Sequence, residues 1–204
     1  MIRTRDGRTH RRREICVALL LTFFGACHVG GRVAAPQFEQ LSPQVREFVA
    51  VQAPHVLIRD VRLIDGTGAP AREGMSVVLR DGRIVTVGPM SEVGDGPGAQ
   101  VVDGTGQTLI PGLVMLHEHM FYPSGRARYN TNQFSFPPLY LAGGTTTIRT
   151  GGSLDPYTDL SIRREIDAGR HPGPSMDVTG PYLEGPGGFI WAFPSLSTPD
   201  EARD

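Results

Sequence analysis

The chain contains no lysine: all 20 of its basic residues are arginine, so no lysine amine can enter its chemistry. Cysteine is nearly absent too, with only Cys16 and Cys27, both in the first 27 residues. If that segment is processed at Cys27, no disulfide framework exists. No apolar run is long enough to span a bilayer as a mature helix. The longest, Ile15 to Cys27, is about a dozen residues, well short of the roughly 20 that a transmembrane helix needs. Formal net charge is −1, but the charge is unevenly placed. Arg3, Arg5, Arg8, Arg11, Arg12 and Arg13 face only Asp6 and Glu14 at the start, and acids outnumber arginines from residue 28 onward. That balance argues against a nucleic-acid partner.

What is present at the N-terminus is an export pattern. A basic start, an uncharged apolar core and the small residues Gly25-Ala26 before Cys27 have the layout of a secretory signal peptide. Gly25-Ala26-Cys27 is similar to a bacterial lipobox, with Phe24 where leucine is usual, so Cys27 is a candidate lipid-anchor site. The expectation is removal of residues 1–26 and a periplasmic or membrane-anchored location. Arg11-Arg12-Arg13 resembles a twin-arginine signal only loosely, since Glu14-Ile15 does not continue that motif.

The organising stretch is Leu109-Ile110-Pro111-Gly112-Leu113-Val114-Met115-Leu116-His117-Glu118-His119-Met120. An apolar run bounded by Pro-Gly reads as a buried strand, in which residues i and i+2 share a face. His117 and His119 then point together and Glu118 points away. Two imidazoles converging from one rigid element form half of a transition-metal site, zinc above all, because neutral imidazole nitrogen is a preferred donor.

This stretch, with the preceding Val61-Arg62-Leu63-Ile64-Asp65-Gly66-Thr67-Gly68 and Arg80-Asp81-Gly82-Arg83-Ile84, resembles the metal-dependent amidohydrolase superfamily, in the imidazolonepropionase-like and prolidase-like branch. The resemblance spans roughly residues 41–188. It implies a small β-sheet domain followed by a (β/α)8 barrel, and one or two divalent ions, most simply zinc. It also implies hydrolysis of C–N bonds in a small-molecule substrate such as an amide, cyclic amide or dipeptide, with esters as a variant. Members are often oligomeric at full length. They complete the site with a carboxylated lysine or a glutamate after strand four, two later histidines and a final aspartate; the lysine cannot exist here and the others cannot be located. One departure is Met115, where the family carries an aspartate two residues before the first histidine.

In chain order, residues 28–54 read as a linker and a short amphipathic helix around 42–51, with Ser42 as N-cap and Pro43 first in the helix. Residues 55–110 read as a small β-sheet domain: β-branched runs at 56–58, 61–64, 76–79, 83–87 and 100–102, with Asp81-Gly82 as a hairpin turn. His55 is a lone histidine at a strand edge and reads as structural. Residues 111–204 alternate strand and helix, the sign of a parallel α/β arrangement. A helix over 135–143 is followed by a strand over 144–151, a helix from Asp155-Pro156 to near Gly169 with Ile162 and Ile166 on one face, and a strand over 175–180. If these are barrel units, Tyr122, Arg149, Tyr182 and Glu184 fall at strand ends or in the loops that follow, where substrate is bound. Alternatively the tyrosines pack on the rim and Arg149 pairs with a carboxylate. Trp191 reads as loop packing. Thr198-Pro199-Asp200-Glu201 carries a capping box and predicts a helix start. The chain thus reads as the N-terminal portion, three strand-helix units, of an exported hydrolase. The alternatives are a fragment acting only with a complementary chain, and a periplasmic metal-binding module without turnover.

Overall fold

The computed structural model describes residues 36–94, 96–126, 128–188, 193 and 195–203. The signal-like segment 1–27 with Cys27, and Trp191, lie outside the described residues. The fold is mixed α/β.

After a 3-10 turn at Phe38–Gln40 comes α1, Pro43–Arg46. Ser42 caps it as its residue type predicts, its hydroxyl accepting from Val45 N at 3.3 Å. The helix expected as far as 51 nevertheless stops after one turn. It buries no residue, and a helix this short gains little without packing.

The antiparallel part is local. β1 (His55–Leu63), β2 (Arg72–Arg80) and β3 (Arg83–Pro89) are joined in sequence; after the short α2 (Met90–Val93), β4 (Gln100–Asp103) and β5 (Thr108–Leu109) add to β1 in parallel. The sheet order is β3-β2-β1-β4, with β5 also on β1. Asp81 and Gly82 both have positive φ, 49° and 72°, the backbone a two-residue hairpin turn needs to match strand twist. The two runs expected at 56–58 and 61–64 are one strand. Asp60, at φ 57°, makes a bulge, and the register shifts between Ile58 and Val61. Two Asp-Gly-Thr turns follow one design: Asp65 accepts from the amide and hydroxyl of Thr67, and Asp103 from those of Thr105. Val61, Leu63 and Met75 form the core here, with Ile58 and Leu109 against them.

The second part is non-local. β6 (Leu113–Glu118) is followed by a hairpin of β7 (Phe121–Pro123) and β8 (Tyr129–Thr131), then α3 (Phe136–Ala142), β9 (Thr145–Thr150), α4 (Pro156–Asp167) and β10 (Ser175–Asp177). β6, β9 and β10 form a parallel sheet with β9 in the centre. Asp155 caps α4 by accepting from Thr158 N at 3.1 Å, with Pro156 in the first turn. Met120, Ile148, Ile162 and Met176 pack as a core, joined by the partly buried Phe136, Tyr140, Ile166 and Val178, so the Ile162/Ile166 face of α4 turns to the core as its spacing predicts.

Two expectations fail. The central run is not a buried strand: Val114 is 59% and Leu116 69% exposed. A continuous apolar run reads as covered on both faces, but among the described residues β6 is an edge strand beside β9, and its apolar side chains are left in water. The helix predicted at Thr198 is a hydrogen-bonded turn. Glu201 does accept from Ser197 N and Thr198 N, at 2.6 and 3.2 Å, yet residues 198–203 carry no apolar stripe to pack a helix down. The third strand is also shorter than expected, ending at Asp177. No closed barrel is formed among the described residues.

Candidate functional site

His117 lies in β6 and His119 one residue beyond its end. The alternation of the strand persists through them: the two imidazoles approach edge to face, with centroids 5.1 Å apart and planes at 83°. Glu118 turns to the other side, where it accepts the Tyr140 hydroxyl at 2.7 Å. Burial and that carboxylate together push the Tyr140 hydroxyl well above its usual range, so it stays a donor at any physiological pH.

The loop after β9 makes room for the rings. A Cβ on Gly151 would lie 2.5 Å from the His117 ring, and one on Gly152 2.5 Å from the Tyr182 ring. Gly152 also has φ 117°, a backbone that side-chain-bearing residues rarely adopt. Gly151 N donates to Glu118 O at 2.8 Å, Gly152 N donates to the Thr179 hydroxyl at 2.9 Å, and Gly152 O sits 3.4 Å from Nδ1 of His119. A carbonyl only accepts, so this contact is a hydrogen bond when Nδ1 carries the proton, the tautomer that leaves a lone pair on Nε2. The Tyr182 hydroxyl lies along the same ring edge, 3.2 Å from Nδ1 and 3.4 Å from Nε2. Its ring stacks on Phe193, with centroids 4.7 Å apart. Burial, then the nearby Tyr129, raises the Tyr182 hydroxyl above its usual range.

Beneath the loop is a buried polar cluster. Ser153 donates to Asp159 Oδ2 at 2.6 Å, and Gln133 Nε2 donates to Oδ1 at 3.5 Å. Burial raises the Asp159 carboxyl above the usual carboxylate range, and the Ser153 and Gln133 hydrogen bonds oppose the rise.

Of the four residues predicted to line a pocket, Tyr182 reaches the histidines. Tyr122 is 65% exposed and lines an open groove of about 430 Å³ with Glu118, His119, Phe121, Phe136, Leu139 and Tyr140. Arg149 pairs with Asp177 across the β9-β10 register, 3.5 Å apart. Glu184 forms an isolated bridge with Ser195, its carbonyl accepting from Leu196 N. Among the described residues neither Arg149 nor Glu184 bonds to either histidine. His171 is held by the Phe134 carbonyl at 3.1 Å. Sequence reasoning missed Tyr140, Gly151, Gly152, Ser153 and Asp159. The Gly-Gly pair directly after a predicted strand was the available signal for a close approach of other groups to the backbone. Asp159, by contrast, looks like an ordinary acid in a first helical turn.

The donor set fits a divalent metal in type but as half a site. Imidazole suits zinc, and the two rings are close enough to share an ion, but no group of three or more His, Cys, Asp or Glu side chains converges among the described residues.

No protein-family model matches the chain, and no curated protein does. Solved structures do. A Bifidobacterium longum protein assigned as a prolidase is 29% identical, with a TM-score of 0.54, covering 73% of this chain and 36% of its own. Molinate hydrolase is 23% identical, with a TM-score of 0.52, covering 63% and 30%. An ochratoxinase from A. niger is 21% identical, with a TM-score of 0.56, covering 70% and 36%. The chain therefore spans about a third of the length of these structures. The His-x-His strand end and these likenesses agree: over the part of the architecture that it spans, the chain is similar to prolidase and amidohydrolase structures, consistent with the amidohydrolase superfamily.

Proposed function

We propose that the chain is part of a longer, exported, metal-dependent amidohydrolase that cleaves C–N bonds of small amides, cyclic amides or dipeptides. The observation that carries the reading is the convergence of the His117 and His119 rings, 5.1 Å apart, beside Tyr182 and the glycine loop. In this reading β6, β9 and β10 are the first strands of a (β/α)8 barrel, α3 and α4 its first outer helices, and residues 55–110 a small β domain. Substrate chemistry in such barrels sits at the C-terminal strand ends, and that is the end of β6 which carries the histidines.

His117 and His119 would hold one or two divalent ions, zinc by donor preference. A bound divalent ion supplies Lewis acidity and lowers the pKa of a bound water toward neutrality. His117 and His119 would each coordinate through a ring-nitrogen lone pair. Tyr182, its hydroxyl held protonated, offers a hydrogen bond to a substrate oxygen and covers the His119 edge. Glu118 is committed to Tyr140 and takes no part. Tyr122 and Glu184 are candidates for substrate contact, and Arg149 would have to exchange Asp177 for a substrate carboxylate. The hydrolase names of the similar structures support the bond class. The exposed apolar groups of β6 and the two-ligand donor set support a need for more chain before turnover, since catalytic zinc normally has three protein ligands. The Arg-rich start and Gly25-Ala26-Cys27 support export, with Cys27 as anchor.

Zinc titration by calorimetry tests the site. Binding should be weak, be lost in both His117→Ala and His119→Ala, persist in Glu118→Gln, and weaken in acid, because protonated imidazole cannot coordinate. Binding that survives either histidine substitution overturns the reading. The 204-residue chain alone should show only background turnover of amides, dipeptides and aryl esters. For export, mass spectrometry of bacterially expressed protein should find residues 1–26 removed; an intact Met1 on cytosolic material overturns it.

A further inference from the structure

Asp159 is 1% exposed, and no cation pairs with it among the described residues. An acid in the first turn of α4 would complement the helix dipole equally well in water, whereas burying a carboxylate is costly unless its bonds fix something. What Asp159 fixes is Ser153. The Ser153 hydroxyl donates to Asp159 at 2.6 Å and accepts from Asp155 N at 3.1 Å, while the Ser153 carbonyl accepts from Tyr182 N at 3.3 Å. The preceding residue, Gly152, is anchored through its N–H to Thr179 and presents its carbonyl to His119 Nδ1. Gly151 and Gly152 have no side chains to hold their own place. The position of the Gly152 carbonyl therefore depends on bonds made by its neighbours.

We propose that Asp159 is a positioning residue: through the Ser153 hydroxyl it holds the Gly151–Ser153 loop where the Gly152 carbonyl fixes His119 in its Nδ1–H tautomer, leaving Nε2 as the coordinating lone pair. A hydrogen bond from the other ring nitrogen to a carbonyl is the usual way a ligand histidine is oriented. The same clamp holds the segment carrying Tyr182. The functional consequence rests on reading the histidines as metal ligands, but the tautomer does not.

The test uses the full chain with 15N-labelled histidine, at a pH well above the imidazole range, where long-range 1H–15N correlations separate the tautomers. Wild type should show His119 as Nδ1–H. Asp159→Ala and Ser153→Ala should shift it toward Nε2–H and weaken zinc binding about 10- to 100-fold. Asp159→Asn keeps an acceptor for the Ser153 hydroxyl and should retain the wild-type tautomer. Ile162→Ala, on the same helix and equally buried, should lower stability without changing the tautomer. An unchanged His119 tautomer in folded Asp159→Ala or Ser153→Ala overturns the proposal, and so does the same shift in Ile162→Ala. If Asp159→Ala does not fold, Ser153→Ala carries the comparison. A wild type that shows the expected tautomer and its loss in the variants but binds no zinc overturns the metal reading and leaves this proposal supported.

Discussion

The antiparallel strands β1 to β3 and the parallel strands β6, β9 and β10 are three apiece yet differ in what specifies them. In the first, neighbours in space are neighbours in sequence. The Asp81-Gly82 turn sets the register of β2 on β3, and the Asp-Gly-Thr turns are closed by bonds between residues two apart. In the second, each strand pair is separated by a helix, and the bonds that matter span 26 to 63 residues: Asp159 to Gln133, Thr179 to Thr150, Tyr182 to His119. All of the candidate chemistry belongs to the second. A local sheet can be made robust by turn chemistry alone, whereas a site needs groups from several distant segments, so it inherits the dependence of those segments on one shared core.

Perturbing that core should therefore have the largest effect. Ile148 is fully buried in the centre of the parallel sheet, so Ile148→Ala should cost about 2–5 kcal/mol by urea denaturation and abolish zinc binding by calorimetry. If the site survives it, the two regions do not differ in the way argued. Gly151→Ala should displace the His117 ring, since its Cβ would fall 2.5 Å from it, and weaken zinc binding at least about tenfold with a smaller loss of stability; unchanged affinity would show that the ring has another place to go. Gly82→Ala meets nothing in space but sits at φ 72°. It should cost only about 1 kcal/mol and leave zinc binding untouched, which confines its effect to the local sheet.

The two regions should also respond to pH with opposite sign. The Thr105 hydroxyl and amide hold Asp103 well below the usual carboxylate range, and Thr67 does the same for Asp65. For such groups the native state binds fewer protons than the unfolded one, so their stabilisation is present above the ordinary carboxylate pKa near 4 and is lost as pH falls below it. Asp159 is shifted the other way, chiefly by burial. The native state then holds its proton more tightly, and stability declines as pH rises through the raised value. Denaturation of Asp103→Asn and Asp159→Asn across pH should show wild type gaining on the first variant and losing on the second as pH increases; the same sign in both would remove the contrast. The smallest effect should be Glu118→Gln, which keeps an acceptor for Tyr140: a shift in stability within about 0.5 kcal/mol and no change in zinc affinity.

Much of the local structure was legible beforehand. Asp155-Pro156 opened α4 and Ser42-Pro43 opened α1, because capping is a bond between residues three apart. Asp81-Gly82 turned the hairpin, and the period-two alternation put His117 and His119 on one side and Glu118 on the other. These depend on short-range geometry that residue type dictates. The sequence could not say that the run from Leu113 to Leu116 would be exposed, because an apolar strand is written the same way whether or not neighbours cover it. Nor could it say that α1 would stop after one turn, that Tyr140 would claim Glu118, or that Asp159 would be buried under Ser153 while Arg149 met Asp177. Those outcomes were decided by tertiary structure, because burial and the ending of a helix depend on what packs against a segment, and bonds such as Tyr140 to Glu118 and Arg149 to Asp177 form only once the shared core has brought both partners together.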